Sequence, residues 1–490
     1  MTSMLRFTLA LVSAAAVGPA WGGDGPLTEC RVPGIRNSVL CGVIKRPLDP
    51  ARPDGVKIDL RYVVVPAMAR RKLPDPVFML AGGPGQSAIA LAPSTMGLFA
   101  RLNNRRDIVF VDQRGTGKSA PLDCEDTRRA PLAEQSDPER QVAQVLECRV
   151  RLQALPYGDL RFFTTVLASQ DLDAVRQQLG ATRINLVGGS YGTRAALDYL
   201  RQFPGAVRRS EIDGVAPPDM VLPASVSTDG QAAFDATLDA CEAEAACAAA
   251  FPKLRADWTA LLASLPTQVT VAHPVTGAPE RLRMTRDIVL SAVRGPLYGA
   301  ALTAALPAAI SAAAHGRFEA LMGLGSAFGS RRATQLAMGM HFSVVCSEDV
   351  PLLDKTMDVP GADFGRDQAR LYGRVCADWP RGAVPLEFYN VTASAAPTLV
   401  LSGGLDPATP PRHGERIARA LGPTAQHVVV PNAGHGVMGL GCMRDVIYRF
   451  IDAAEDRDAT AVDASCAKNI PRAPAFRPVA PAAAASGPPS

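Results

Sequence analysis

The sequence predicts an α/β fold in which a mostly parallel central sheet, flanked by helices, is interrupted by an inserted helical cap. Three observations lead there. Short apolar runs at Val77-Phe78-Met79-Leu80, Ile108-Val109-Phe110-Val111, Ile184-Asn185-Leu186-Val187, Thr398-Leu399-Val400-Leu401 and His427-Val428-Val429-Val430 read as buried parallel strands, each leading into a loop with Gly, Asp or Asn. Helical spacing flanks the third run. Leu172, Val175 and Leu179 precede it, with Gly180 as the helix stop, and Ala195, Leu197, Leu200 and Phe203 follow it before Pro204-Gly205. Between the two groups of strands, residues 217–395 are rich in Ala, Leu and Arg with helix-like stretches, as expected of a cap that walls a site. The core is therefore expected from 23–216 and 396–470, followed by a disordered Pro/Ala-rich tail over 471–490.

The loop after the third run carries the chemistry. In Gly188-Gly189-Ser190-Tyr191-Gly192 a serine stands between glycines on a strand-to-helix turn, the mounting of an exposed nucleophile. A serine of ordinary pKa needs a base, and the base needs an orienting acid. His435 follows the last apolar run in Pro431-Asn432-Ala433-Gly434-His435-Gly436, and Asp406 follows another in Ser402-Gly403-Gly404-Leu405-Asp406-Pro407. The other five histidines lack a comparable glycine-flanked, strand-end setting. Three strand ends thus deliver Ser190, Asp406 and His435, and loops at the carboxyl ends of such strands converge on ligand sites. The chain order Ser, Asp, His is the one used by α/β-hydrolases. A fourth loop, Ala81-Gly82-Gly83-Pro84-Gly85-Gln86-Ser87, follows the first run, and its glycines let backbone amides approach a substrate oxygen. The amides of Gly83 and Tyr191 are the expected oxyanion donors.

These segments, with Asp112-Gln113-Arg114-Gly115-Thr116-Gly117-Lys118-Ser119, resemble the prolyl-aminopeptidase branch of the α/β-hydrolases, above all its tripeptidyl-aminopeptidase-like members with their characteristic C-terminal region. The resemblance extends through Cys346-Ser347-Glu348-Asp349 and Cys376-Ala377-Asp378-Trp379-Pro380 and spans roughly residues 30 to 470. It implies an α/β-hydrolase fold and a serine exopeptidase acting on free N-termini, without metal or organic cofactor. It also implies a carboxylate that holds the substrate ammonium, with Glu348 as the candidate and Asp349 and Asp378 behind it. Ala81 departs from the pattern, because the family loop commonly begins with histidine. A side chain that could brace the oxyanion loop is thereby missing. The same triad serves a carboxylesterase, so a peptide or a small ester is the expected substrate.

Other classes are disfavoured. Gly117-Lys118-Ser119 imitates the end of a phosphate-binding loop, but position 112 is Asp where that motif needs Gly. Net charge is +4 with the signs mixed along the chain, which argues against a nucleic-acid surface. Arg6, the apolar run from 7 to 17 and the small residues to Gly22 form a signal peptide over 1–22, too short to span a bilayer, so a secreted or periplasmic protein is expected, with no membrane span. Ten cysteines in an exported chain without zinc-site spacing suggest disulfides. Sequential pairing is the simplest arrangement, namely Cys30–Cys41, Cys124–Cys148, Cys241–Cys247, Cys346–Cys376 and Cys442–Cys466, though sequence alone leaves connectivity open. Six residues of unbroken helix would hold Cys241 and Cys247 about 9 Å apart, so that pair requires a helix break. Asn390-Val391-Thr392 fits a glycosylation sequon.

Overall fold

The computed structural model describes residues 26–327 and 335–477. The expected signal peptide and residues 478–490 lie outside them. Strands β1 (Leu27–Cys30), β2 (Val39–Pro47) and β3 (Lys57–Val65) form an antiparallel meander that joins β5 (Ile108–Val111). From there β4 (Val77–Leu80), β6 (Ile184–Gly189), β7 (Val207–Asp213), β10 (Thr398–Gly403) and β11 (Ala425–Val430) run parallel, giving nine strands in the order β1-β2-β3-β5-β4-β6-β7-β10-β11 among the described residues. The parallel strands at the centre are apolar and buried on both faces, as helix-covered strands must be. Strand order reverses at β4, and the loops after β4, β6, β10 and β11 meet at one end of the sheet.

The helices that cover it are α1 (Ala88–Phe99), α2 (Pro138–Gln153), α3 (Thr165–Gln178) and α4 (Tyr191–Gln202) before the insertion, and α9 (Pro411–Leu421) and α10 (Met443–Asp452) after it. Side-chain caps set their starts: Ser87 accepts the Ala90 amide, Asp137 those of Glu139 and Arg140, and Thr164 that of Leu167. Helices α1 and α10 bury Phe99 and Phe450 against one sheet face, while α3, α4 and α9 bury Leu172, Tyr199 and Ile417 against the other.

The insertion between β7 and β10 contains α5 (Leu222–Ala243), α6 (Arg286–Leu297), α7 (Met338–Glu348) and α8 (Asp367–Asp378), with shorter helices between them. It also contains an antiparallel hairpin of β8 (Thr267–Ala272) and β9 (Pro279–Met284), which helix-like composition did not reveal. The cap has its own core around Phe234, Trp258, Leu282 and Ile310. A second cluster fuses it to the sheet domain, where Phe342, Cys346 and Trp379 pack with Leu48, Leu152 and Tyr191. Among the described residues no helix is long and apolar enough to cross a membrane.

All five sequential disulfides are formed. For Cys241–Cys247 the break falls where geometry demands it: α5 ends at Ala243, Glu244 is extended at ψ 110°, and a new helix begins at Ala245, bringing the Cα atoms to 5.1 Å. One boundary needs correction. Residues 471–477, expected to be disordered, cross back onto the cap, where Ala475 is buried and the Phe476 amide donates to the Ala304 carbonyl at 2.8 Å.

Candidate active site

Ser190 sits between β6 and α4 with φ 55° and ψ −125°, a conformation costing on the order of 1–3 kcal/mol for a residue with a side chain. The surroundings enforce it. The Ser190 amide donates to the Asp213 carbonyl at 2.9 Å, and the Ser190 carbonyl accepts the Thr193 amide and hydroxyl at 2.8 and 2.6 Å. Gly192 is obligatory for the approach of the first helical turn to β4, because a Cβ there would lie 2.2 Å from the Leu80 carbonyl oxygen.

Asp406 and His435 meet at 2.8 Å between Oδ2 and Nδ1. The other Asp406 oxygen accepts the Ala408 and Thr409 amides at 2.8 and 2.9 Å, and the Thr409 hydroxyl donates to Oδ2 at 2.8 Å. Burial alone would raise this carboxyl. The charge and hydrogen bond of His435, with the two amides, outweigh burial and hold it below the usual carboxylate range. The reciprocal effect appears on His435, where burial pushes the imidazole down but the Asp406 carboxylate more than compensates and raises it. With Nδ1–H given to Asp406, Nε2 is the nitrogen available to take a proton.

Ser190 and His435 make no hydrogen bond to each other in this conformation, and catalytic contacts of this kind commonly tighten only with substrate bound. Asp213 joins them instead. Its carbonyl holds the Ser190 amide, while its Oδ2 accepts the amides of Val437 and Met438 at 2.6 and 2.7 Å and so fixes the loop bearing His435. Gly214 lies against the imidazole, where a Cβ would come within 3.2 Å of Cε1. Burial, with the neighbouring Asp406 charge, pushes the Asp213 carboxyl up to about 6 despite the two amides.

The oxyanion loop packs directly on the nucleophile, since a Cβ on Gly82 would lie 3.1 Å from that of Ser190. Among the described residues the amides of Gly83 and Tyr191 donate to no backbone or side-chain acceptor, so both are available to a developing oxyanion. The brace that Ala81 cannot supply comes from the cap. His341 on α7 shares a hydrogen bond of 3.2 Å between Nδ1 and the Pro84 carbonyl, and its Nε2 lies 2.8 Å from the Tyr372 hydroxyl. Because a carbonyl only accepts, Nδ1 carries the proton and Nε2 accepts from Tyr372. The Ala337 amide, one residue before α7, donates to the Gly85 carbonyl at 2.9 Å.

A family model described as the alpha/beta hydrolase fold matches residues 75–441. The chain belongs to the α/β-hydrolase family. Serine protease Hip1 of Mycobacterium tuberculosis is 26% identical over 427 residues, covering 80% of this hydrolase and 80% of the relative. Tripeptidyl aminopeptidase of Streptomyces coelicolor is 31% identical over 197 residues, covering 37% of this chain and 36% of its own. Carboxylesterase B of M. tuberculosis is 27% identical over 420 residues, or 78% of each. Within its family the chain is of the tripeptidyl-aminopeptidase-like type.

The acidic residues expected to bind the substrate amine stand elsewhere in the hydrolase. Glu348 is fully buried, accepting the Thr165 amide at 2.7 Å and hydroxyl at 2.9 Å, with Arg194 at 3.4 Å. Asp349 is buried and pairs with both terminal nitrogens of Arg194 at 2.8 and 3.1 Å. Burial pushes the Glu348 carboxyl up to about 7 against the charge of Arg194 and the Thr165 bonds. This cluster ties the nucleophile helix α4 to the end of α7, and an ammonium would have to displace Arg194 to reach it. Asp378 is exposed at the end of α8, where its carbonyl accepts from Arg149 of α2. The physical reason for the correction is that an acidic cluster next to a cysteine reads as a surface loop, whereas its partner Arg194 lies far away in sequence.

The segment from Asp112 to Ser119 ties the loops together. Arg114 grips Asp171 with two nitrogens at 2.7 and 3.0 Å, Gln113 donates to the Tyr191 hydroxyl at 2.9 Å, and Asp112 accepts the Ser87 hydroxyl at 2.6 Å at the start of α1. Sequence reasoning missed Asp213, Thr409 and His341. Only Asp213 left a trace, as a carboxylate at the carboxyl end of β7 immediately before Gly214.

Proposed function

We propose that the protein is an exported serine hydrolase of peptide bonds, an aminopeptidase that releases residues or short peptides from free N-termini. The observation that carries this reading is the 2.8 Å contact of Asp406 with His435, set beside a serine on a strained elbow and two unengaged amides. His435 Nε2 takes the Ser190 proton as Oγ attacks the scissile carbonyl, and Asp406 stabilises the imidazolium that forms. The Gly83 and Tyr191 amides hold the oxyanion. His435 then gives its proton to the leaving amine, and water, activated by the same nitrogen, releases the acyl group from Ser190. The cap over the cleft favours short substrates or chain ends. Relatives called a serine protease and a tripeptidyl aminopeptidase support peptide substrates. Export is supported by the apolar leader over 1–22 and by five disulfides, which persist in oxidising compartments.

Ester hydrolysis is the second reading. It gains from the pairing of Glu348 and Asp349 with Arg194, which removes the expected ammonium-binding carboxylates, and from the relative called carboxylesterase B. A panel of short peptides and esters with free and acetylated amines separates the two. Preference for free amines supports the aminopeptidase, whereas indifference with rapid ester cleavage replaces it. Ser190→Ala is expected to retain the fold and to abolish turnover and fluorophosphonate labelling; turnover at the wild-type rate would remove the assignment.

A further inference from the structure

The wall of the site opposite the sheet is formed in part by α6 and the residue after it. The Tyr298 carbonyl accepts the His435 amide at 2.9 Å, and the Tyr298 ring stands edge-on to the imidazole with centroids 5.1 Å apart. One turn back on α6, Arg294 donates from Nη2 to the Tyr298 hydroxyl at 3.1 Å. Its Nε is buried and has no acceptor among the described residues. The guanidinium lies close enough to His435 to oppose its protonation, and close enough to Tyr372 to favour the ionised phenol. Tyr372 is bound to His341, which holds the oxyanion loop. Arg294 is therefore tied through Tyr298 to the loop that carries the base, on the cap side of the site.

Its pairing is unlike that of the fully buried arginines. Arg106, Arg114, Arg194 and Arg209 each meet a carboxylate at 2.7 to 2.9 Å, but among the described residues no carboxylate lies within 4 Å of Arg294. A partly buried cation without a counter-ion loses hydration, which the Tyr298 hydroxyl and the Tyr298 ring, 5.8 Å from the guanidinium carbon, offset only in part. Placed beside a histidine that must accept a proton, it also works against the reaction. Both penalties vanish when an anion docks on it. A guanidinium presents a rigid fork of donors that matches a carboxylate with two parallel hydrogen bonds.

We infer that Arg294 is a substrate-binding residue that selects substrates carrying a carboxylate. The group can be the C-terminal carboxylate of a short peptide or an acidic side chain next to the scissile bond. This inference rests on the serine-hydrolase reading, and it holds whether the bond cleaved is an amide or an ester.

Two matched substrate pairs test it and separate the two sources. One pair is trialanine and trialanine amide; the other is the p-nitroanilide of glutamate and that of glutamine, which share a free amine. The wild-type protein is expected to favour the acid of at least one pair by about tenfold or more in kcat/KM, chiefly through KM, as for one good charged pair. Arg294→Met is expected to bring that ratio to about one, with Arg294→Lys between the two. A ratio is insensitive to general loss of activity, so partial misfolding does not mimic the result. The same pairs titrated calorimetrically into Ser190→Ala report the preference as a ratio of Kd without chemistry. Absence of acid preference in both pairs, or a preference unchanged in Arg294→Met, overturns the inference. A preserved Kd ratio in a protein whose serine is neither labelled nor active overturns only the hydrolase reading.

Discussion

Replacing His341 by Ala tests whether the cap takes part in catalysis through the oxyanion loop. The substitution deletes the donor to the Pro84 carbonyl and strands the Tyr372 hydroxyl, both at a site where His341 is only 4% exposed. A buried polar group left unpaired costs on the order of 1–3 kcal/mol, so the melting temperature should fall by several degrees. The kinetic effect has an upper bound, because complete loss of one oxyanion donor costs about 10² to 10³ in kcat. Here the Gly83 amide is displaced and not removed, and the Tyr191 amide is untouched. A fall in kcat of roughly 10-fold to 10²-fold, with KM changed less than about threefold, is therefore expected. His341→Asn places an amide donor near the position of Nδ1 and should recover most of kcat while leaving Tyr372 unpaired. Steady-state kinetics at a temperature where all three proteins are folded decides the matter. A kcat for the Ala variant within about threefold of wild type, or equal losses for Ala and Asn, would refute the reasoning.

Two further predictions concern the carboxylates. Asp406→Asn is expected to lower kcat by about 10⁴ and to move the acid limb of the kcat/KM profile to lower pH, because Asp406 holds the His435 pKa up and the base works only when neutral; an unmoved limb would contradict this. Glu211 lies in β7 with both carboxylate oxygens buried and without a partner among the described residues, and burial, aided by the Asp213 charge, pushes its pKa well above 4.5. A raised folded-state pKa means that its contribution is favourable below the unfolded value and is lost as pH rises through the folded one. Glu211→Gln should therefore melt higher than wild type at about pH 8, with the gap closing near pH 5, and a pH-independent gap would count against the account.

What the sequence revealed follows the range of the interactions. Ser190, Asp406 and His435 each follow a short apolar strand and stand among glycines, so a local pattern was enough to place them at strand ends. The requirement for a break between Cys241 and Cys247 was likewise a matter of six residues. Strands β1 and β2 and the hairpin of β8 with β9 are built from mixed polar and apolar residues on partly exposed strands, which give no strong period, whereas Ile58, Leu60 and Tyr62 of β3 do alternate with polar residues, the signal of a half-buried strand. Long-range partners decided the rest. The family resemblance implies an amine-binding role for Glu348, but its neighbours in space are Thr165 and Arg194, the latter on the nucleophile helix. The support for the oxyanion loop lies more than 250 residues beyond it, at His341.

The return of residues 471–477 to the cap has a mechanical consequence. The chain leaves the sheet domain after β7, re-enters it at β10, and touches the cap once more where Phe476 bonds to Ala304. Cys442–Cys466 and the bond from Asn432 to the Ile470 carbonyl anchor the near end of that last crossing. This strap adds a third chain crossing to the two by which the insertion leaves and rejoins the sheet, and it acts alongside the buried cluster and the Arg194 pairs that already join cap and sheet. Shortening the protein before residue 471, or fusing a bulky partner there, would therefore alter the freedom of the cap while leaving every residue of the triad in place.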